Sequence, residues 1–306
     1  MGGAREAARR TTKLMANLGF VGLGAMGSRI TKRLLARGHT VTGYDLFPAK
    51  QPELVAMGGT WASSPRAVCD AADTTFVMVT NTAALEGASQ GPDGLLAGLG
   101  AGKLLIDMST VGPATSRALA GKVREKGADM LDAPVSGSIS MVEQAKLSIM
   151  VGGHRATFDS AKPLLEDIGQ KVTYIGENGL ALSMKLATNI SIAVQMLALA
   201  ESVVLAEKAG VARETAVEVL TNSAIASPLV QYKGPCVLKM PEQPMFSANM
   251  MQKDVTLALE LAREVQVTLP TGAVVNEFLS SARAQGLGEQ DFAILYKVLA
   301  HMSGVA

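Results

Sequence analysis

The spacing of apolar residues changes near residue 178 and divides the chain into two parts. Before that point, short apolar runs typical of buried strands alternate with helical spacing, at 18–21, 40–44, 75–79, 104–107, 130–131 and 171–175. Such alternation predicts a parallel sheet with helices on both faces. After that point only helical spacing recurs, at 180–208, 213–222, 249–265, 271–285 and 289–302. We expect an α/β fold with a tail over 1–17, a sheet domain over 18–178 and an all-helical domain over 179–306.

The predicted helix at 180–208 is apolar on almost every side, which is typical of a helix buried between domains or subunits. It therefore favours a homo-oligomer. Prolines, among them Pro235, indicate breaks between the later helices. The longest segment that we expect to be irregular is 233–246, and we place it over a site in the cleft between the domains.

A glycine-rich turn follows the first predicted strand. Its spacing, G-x-G-x-x-G, lies between a strand and a helix, where backbone can approach a pyrophosphate at the helix N-terminus. Asp45 closes the second strand, and a carboxylate there accepts hydrogen bonds from ribose hydroxyls and repels a 2′-phosphate. We predict a Rossmann-type domain that binds NAD in preference to NADP, joined by the long helix to the all-α domain. The expected cofactor contacts are Gly22, Leu23, Gly24, Ala25, Met26, Gly27 and Asp45.

The stretch DAPVSGS, residues 132–138, follows another predicted strand. Ser136, Gly137 and Ser138 are small, so backbone N–H groups there stay accessible and two hydroxyls add donors. This arrangement suits a carboxylate at a helix N-terminus. An ordinary capped loop has the same residue types, and the anion site is favoured only by its expected position beside the nicotinamide.

Lys185 is a cation at the start of the long apolar helix, with Asn189 one turn later on the same side. Either the side chain extends from the helix end into water, or it is buried and its pKa is shifted. A free lysine, with a pKa of about 10.4, is a poor base at neutral pH, and desolvation lowers the pKa toward the working range. We predict that Lys185 is buried because burial tunes it for proton transfer.

Four stretches, in this order, resemble the β-hydroxyacid dehydrogenase family: VGLGAMG (21–27), DAPVSGS (132–138), GLALSMKLATN (179–189) and MQKD (251–254). The family includes 3-hydroxyisobutyrate dehydrogenase, tartronate semialdehyde reductase and the glyoxylate/succinic semialdehyde reductases. The resemblance implies an enzyme that transfers a hydride between nicotinamide and a short 3-hydroxy acid or its semialdehyde.

The resemblance also implies roles for particular residues. Lys185 would be the catalytic acid/base and Asn189 its orienting partner, while the substrate carboxylate would be held by Ser136, Gly137 and Ser138. Further cofactor contacts would come from Thr80, Asn81, Thr110 and Lys253, with Asp254 next to the last. Ser138, Ala181, Thr188 and Asn81 depart from the usual family residues, which leaves the substrate open.

Three alternatives stay open at this level. KGPCVLKM and LPTGAVVNEF are most like the glyoxylate/succinic semialdehyde reductases, whereas YDLFP is more like NAD-dependent 3-hydroxyisobutyrate dehydrogenases. Another class of function is a non-catalytic dinucleotide-binding protein, but the lysine is present and there is no appended basic module. Imine reductases are a related class that usually lacks this lysine.

Charge and composition exclude several classes of binding partner. With 28 Lys and Arg against 27 Asp and Glu, the net charge of +1 supplies no field for nucleic acid or an anionic membrane. The three histidines show no metal-ligand spacing, so we expect no metal. The expected partners are a small carboxylic acid and further copies of the chain, in a homodimer or homotetramer.

Two cysteines, Cys69 and Cys236, lie far apart without redox or metal spacing, which is typical of a reducing compartment such as the cytoplasm. Residues 1–16 are rich in Arg and contain one acid, Glu6, as a mitochondrial transit peptide would. In that case the mitochondrial matrix is expected. An upstream start codon or a cloning-derived extension before Met15 explains the segment as well.

Overall fold

The structure is a computed structural model that describes residues 15–305. Nine strands form one sheet: β1 (Asn17–Val21), β2 (Thr40–Tyr44), β3 (Thr60–Trp61), β4 (Thr74–Val77), β5 (Leu104–Asp107), β6 (Asp129–Asp132), β7 (Val135–Ser136), β8 (Ser148–Gly152) and β9 (Lys171–Gly176). Their order is β3-β2-β1-β4-β5-β6-β8-β7, and β9 pairs with β8.

Strands β1 to β6 are parallel, as the hydrophobic pattern predicts. Their register aligns Val21 with Tyr44 and Val77, and Asp107 with both Val77 and Asp132. The loops that follow these strands therefore meet at one edge of the sheet, where ligands of such folds bind. Strands β7 and β8, which the pattern does not predict, pair antiparallel with each other, and β8 runs antiparallel to β6.

Eight helices accompany the sheet: α1 (Ala25–Ala36), α2 (Gln51–Ala56), α3 (Pro65–Ala71), α4 (Thr82–Ser89), α5 (Leu95–Gly98), α6 (Pro113–Glu125), α7 (Ile139–Glu143) and α8 (Arg155–Glu166). Successive strand side chains point to opposite faces. Phe20 of β1 accordingly packs in one buried cluster with Ile30 of α1, and Val21 packs in another with Leu119 of α6. The sheet is thus covered on both faces.

Six helices follow: α9 (Leu180–Lys208), α10 (Arg213–Thr221), α11 (Pro228–Leu238), α12 (Ala248–Glu264), α13 (Pro270–Ala284) and α14 (Leu295–Met302). The predicted long helix is confirmed as α9, which contacts each of the other five. By length and hydropathy α9 is also able to cross a bilayer. Twelve of its residues are buried against the protein, so it serves as the central helix of this part.

The prediction that residues 233–246 are irregular is wrong in its first part, because α11 continues through Pro235 to Leu238. Ser227 caps the helix by accepting a hydrogen bond from the Val230 N–H. A proline inside a helix removes one backbone donor. Here the helix is also anchored by the buried pair of Lys233 and Asp291, whose side chains lie 2.5 Å apart. Tertiary packing therefore outweighs the local cost of the proline.

Of the predicted tail, residues 1–14 lie outside the described part of the chain, and Asn17 is the first residue of β1. Cys69 and Cys236 are both free and buried.

Candidate active site

The glycine turn between β1 and α1 combines tight packing with one open position. A Cβ at Gly22 (φ +96°) would lie 2.1 Å from the Met78 carbonyl oxygen, and one at Gly27 would lie 2.0 Å from the Gly22 oxygen. A Cβ at Gly24 would meet nothing within 4 Å. Gly24 is also the N-cap of α1, and no side chain caps that helix. The turn thus leaves accessible N–H donors and room for a pyrophosphate.

Asp45 lies directly after β2 with only 9% of its surface exposed. One carboxylate oxygen accepts a hydrogen bond from the Leu23 N–H at 2.7 Å, and the other accepts one from the Phe47 N–H at 2.9 Å. The carboxylate is therefore held against the glycine turn. Because each oxygen can accept a further hydrogen bond, Asp45 fits the binding of ribose hydroxyls.

Three other predicted cofactor residues follow neighbouring strands. Thr80 and Asn81 are exposed after β4, and Asn81 also caps α4 by accepting the Ala84 N–H at 2.8 Å. Thr110 follows β5 and is half-buried, and its carbonyl oxygen accepts a hydrogen bond from Lys253 at 2.6 Å. All three lie in loops at the edge of the sheet that carries the glycine turn.

A continuous chain of polar side chains links α9 to α12. The Lys185 Nζ donates to Asn189 Oδ1 at 3.0 Å, and Asn189 Nδ2 donates to Asp254 Oδ2. The other Asp254 oxygen lies 2.8 Å from the Lys253 Nζ, which also reaches Thr110. Two of the predicted site residues, Lys185 and Asn189, thus lie together, and Lys253 joins them through Asp254.

Lys185 is buried, with 9% of its surface exposed. Burial lowers the pKa of its ammonium group to about 8; the charge of Asp254 opposes this change and that of Lys253 adds to it. An amine with this pKa exchanges its proton readily near neutral pH. The sequence-based prediction that Lys185 is buried, rather than extended into water, is confirmed.

The start of α9 depends on a carboxylate from the sheet. Gly179, the N-cap of α9, has φ +90° and no side chain of its own to cap the helix. Asp132, the last residue of β6, accepts hydrogen bonds from the Gly179 N–H at 2.9 Å and from Asn178 Nδ2 at 3.1 Å. Asp132 also begins the stretch DAPVSGS, so one residue connects the predicted anion loop with the helix that carries Lys185.

The predicted anion loop follows within a few residues of β6. Ser136 ends β7 and is half-buried, as is Ser138. Gly137 has φ +142°, and a Cβ there would lie 2.8 Å from Leu147 Cδ2. The Ser138 carbonyl oxygen accepts the Met141 N–H at the start of α7. The glycine is therefore required by the turn itself.

Sequence reasoning missed the roles of Asp107 and Asp132. Asp107 is fully buried at the end of β5, where one oxygen accepts the Ser109 N–H at 2.9 Å. Burial, with a smaller contribution from Asp132 on the next strand, raises the pKa of its carboxyl group to about 7, and the hydrogen bonds from Ser109 oppose this change. The sequence did contain a signal for this pair. Each of two adjacent apolar strands ends in an acid, and parallel register brings two such residues side by side.

Two families match the chain in succession. The family described as the NAD binding domain of 6-phosphogluconate dehydrogenase matches residues 17–176. The family described as the NAD-binding of NADP-dependent 3-hydroxyisobutyrate dehydrogenase matches residues 179–299. The first match covers the sheet, and the second covers the helices from α9 onward.

Individual proteins resemble the chain over nearly its whole length. It is 34% identical to 2-(hydroxymethyl)glutarate dehydrogenase of Eubacterium barkeri, over 94% of this chain and 96% of that protein. It is 33% identical to glyoxylate/succinic semialdehyde reductase 2, chloroplastic, of Arabidopsis thaliana, over 92% of this chain and 79% of the relative. A solved structure of 3-hydroxyisobutyrate dehydrogenase of Mycobacterium tuberculosis with L-serine is 29% identical, with a TM-score of 0.83, and the likeness covers 94% of this chain and 99% of the other.

Proposed function

The chain belongs to the β-hydroxyacid dehydrogenase family and is an NAD(P)-dependent oxidoreductase of hydroxy acids, and we propose that Lys185 is its general acid/base. One observation carries this proposal. A buried amine, hydrogen-bonded to Asn189 and with its pKa lowered to about 8, lies at the start of the helix that adjoins the nucleotide-binding edge of the sheet. Proton transfer must accompany hydride transfer at a carbinol carbon, and Lys185 is suited to it.

In this proposal the chain's residues bind, orient and move one proton. Ser136, Gly137 and Ser138 hold the substrate carboxylate through hydroxyl and backbone donors. Asn189 accepts a hydrogen bond from Lys185 and thereby orients the amine. In oxidation Lys185 takes the hydroxyl proton of the substrate, and in reduction it returns a proton to the carbonyl oxygen. When bound, the nicotinamide supplies the hydride acceptor or donor.

For the cofactor, we propose that Asp45 and the turn 22–27 hold the adenosine and pyrophosphate portions. The carboxylate of Asp45, fixed by two backbone N–H groups, favours NAD over NADP because a 2′-phosphate would meet its negative charge. Thr80, Asn81, Thr110 and Lys253 complete the proposed cofactor contacts. Lys253 would act through its position between Thr110 and Asp254.

In this proposal the substrate is a short 3-hydroxy acid of the 3-hydroxyisobutyrate type. The second candidate function is that of a semialdehyde reductase, whose substrate is a semialdehyde. Two observations favour the second. The relative from Arabidopsis thaliana is named as such a reductase. A pKa of about 8 also leaves the Lys185 amine mostly protonated at neutral pH, which is the form that reduction requires.

We also propose the domain division and the assembly. The boundary at residues 178 and 179 is supported by the end of β9 at Gly176 and the start of α9 at Leu180. The apolar residues on the outer side of α9 support a homodimer or homotetramer, and the free cysteines Cys69 and Cys236 support the cytoplasm as its location. Leu180, Met184 and Leu205 are 47%, 45% and 72% exposed on that side of α9. The exposed residues of α9, at 180, 184, 187, 191, 198, 201, 205 and 208, keep the seven-residue spacing of a helix–helix seam, with Ser191, Glu201 and Lys208 as the polar members.

The test is a cofactor-absorbance assay with NAD and NADP across a panel of acids. The panel contains 3-hydroxyisobutyrate, threonate, serine, 2-(hydroxymethyl)glutarate, tartronate semialdehyde, glyoxylate and succinic semialdehyde. We expect turnover of at least one, with reduction slowing above pH about 8 and oxidation rising through the same pH, because the two directions need opposite protonation states of Lys185.

A pair of variants completes the test. Lys185→Met should lower kcat by about 10²–10⁴-fold, the usual contribution of a general acid/base. Lys208→Met on the same helix is the matched control, since that lysine is exposed at the far end of α9. Full activity of Lys185→Met would remove the proposed role of the amine, and a panel without any turnover would remove the proposed substrate class.

A further inference from the structure

Asn189 lies between two groups that can each hydrogen-bond in only one sense. The side chain is buried, with 3% of the residue exposed. Its Oδ1 accepts from the Lys185 ammonium, and its Nδ2 donates to the Asp254 carboxylate. An ammonium only donates and an ionised carboxylate only accepts. The two neighbours together therefore permit one orientation of the amide and exclude the flipped one.

Asp254 is so deeply buried that water cannot take the place of its side-chain partners. Only 1% of its surface is exposed; one oxygen accepts a hydrogen bond from Asn189, and the other lies 2.8 Å from the Lys253 Nζ in an ion pair without hydrogen-bond geometry. Of the three charged side chains joined in this chain of contacts, two are lysines and Asp254 is the one acid. Removing its charge leaves the buried ammonium of Lys185 without the anion of this chain of contacts, and a buried ammonium sheds its proton unless an anion compensates it.

The charge of Asp254 also changes the pKa of Lys185, which lies on the other side of Asn189. Burial lowers the pKa of Lys185, Asp254 raises it, and Lys253 lowers it. Asp254 therefore counteracts burial at the amine and keeps a protonated fraction at neutral pH. Lys253 acts in the opposite direction, so the two neighbouring residues of α12 can be distinguished by the sign of their effects.

We propose that Asp254 is the positioning residue of this site: its carboxylate selects the amide orientation of Asn189 that turns Oδ1 toward Lys185, and its charge retains the proton on that amine between turnovers. The proposal deepens the proposed function and rests on it for the role of Lys185. Asp254 acts through Asn189 and Lys185 and makes no proton transfer of its own. This role can be told apart from an effect on folding, because it predicts a shift of the Lys185 titration midpoint and the direction of that shift.

The first measurement uses the unsubstituted protein without substrate or cofactor. Side-chain ¹⁵N–¹H signals of Asn189, assigned by their loss in Asn189→Ser, should include one amide proton that exchanges slowly because it is bound to a carboxylate. Two amide protons that exchange as fast as those of an exposed asparagine would overturn the proposal. This measurement decides the matter even when a variant at Asp254 does not fold.

The second measurement follows the Lys185 ¹³Cε shift against pH in protein labelled at lysine. Asp254→Asn keeps the side-chain size and should lower the titration midpoint of Lys185 by about one pH unit or more, a tenfold change in proton affinity. Lys253→Met should raise the midpoint, because it removes the opposing cation. Glu260→Gln, on the exposed side of the same helix α12, is the control and should leave the midpoint unchanged.

The assay supplies an independent readout. In Asp254→Asn the alkaline decline of reduction should move to lower pH by the same amount as the Lys185 midpoint, with kcat falling about tenfold or more. An unchanged midpoint in Asp254→Asn overturns the positioning role even if the enzyme acts on the panel of acids. A lowered midpoint in a protein that acts on none of them supports the positioning role and contradicts the proposed function, so the two failures are distinguishable.

Discussion

Lys185 and Asp107 are both buried and ionisable, and burial changes their pKa values in opposite directions. An ammonium loses its proton more readily when desolvated, whereas a carboxyl keeps its proton. The position of Lys185 in an apolar helix start indicated this from sequence alone. The burial of Asp107 did not follow from sequence, because an acid at the end of a strand is as common at an exposed loop. Only the packing of the folded chain around the end of β5 excludes water from it.

Asp107→Asn should stabilise the protein, and more so at high pH. The folded-state pKa is raised to about 7, so between pH about 4 and 7 the folded protein binds more protons than the unfolded chain. The free energy of unfolding of the wild type therefore decreases as pH rises through this window, because the carboxyl group must ionise while buried. The Asp107→Asn variant has no such group and shows no such decrease. Asparagine also keeps an acceptor for the Ser109 N–H.

Urea unfolding of both proteins at pH 4 to 8 checks this prediction. The difference in the free energy of unfolding should grow toward pH 8, to the order of a few kcal/mol. Asp73→Asn, at an exposed carboxylate just before β4, is the control and should show a difference that does not vary with pH in this way. A constant difference for Asp107→Asn would contradict the argument.

At the scale of elements, the turn between β1 and α1 shows how one motif serves both fold and ligand. Gly22 and Gly27 are required where the strand, turn and helix approach each other. Gly24 faces open space and has an ordinary backbone conformation, with φ −66°. Packing therefore requires Gly22 and Gly27, whereas at Gly24 we propose that the approach of the cofactor is what requires glycine. The spacing of the motif predicted all three positions but not this division.

Two alanine substitutions should separate these roles. Gly27→Ala should lower the free energy of unfolding by about 1–3 kcal/mol, since its Cβ would clash with the Gly22 oxygen. Gly24→Ala should change stability by less than about 0.5 kcal/mol yet weaken NADH binding by about tenfold or more, because the methyl group occupies the approach of the pyrophosphate. Urea unfolding and calorimetric titration with NADH measure both, and an unaffected NADH affinity in Gly24→Ala would contradict the assignment.

At the scale of the whole molecule, exposed apolar surface is concentrated in the helical part. Of the sixteen large apolar side chains exposed in the described chain, twelve lie between residues 180 and 302. Leu205, near the end of α9, is 72% exposed although much of the same helix is buried. A concentration of exposed apolar side chains in one part of a molecule is typical of an interaction site. A second copy of the chain is the occupant that we propose, because the outer residues of α9 repeat with the seven-residue spacing of a helix seam.

Leu205→Arg should therefore reduce the oligomer mass in light scattering coupled to size exclusion at micromolar concentration. The side chain is mostly exposed in one protomer, so the substitution has little to disturb within the fold itself, whereas an unpaired arginine buried at an interface carries a desolvation cost. Val55→Arg, at a 53% exposed position on α2, is the matched control and should leave the mass unchanged. The same mass for Leu205→Arg and wild type would exclude this face of α9 from the interface.

The sequence by itself predicted most of the strands and helices, though not β3, β7, β8 or α11, together with the glycine turn and the burial of Lys185. It could do so because apolar period, backbone conformation and helix composition are local properties. Only the tertiary structure decided which distant groups meet the site. Asp254 reaches Asn189 across 65 positions of the chain, and Asp132 reaches Gly179 across 47. The continuation of α11 through Pro235 was decided in the same way. Such contacts depend on how elements pack against one another, and hydrophobic spacing along a single chain carries no information about which polar side chains that packing brings together.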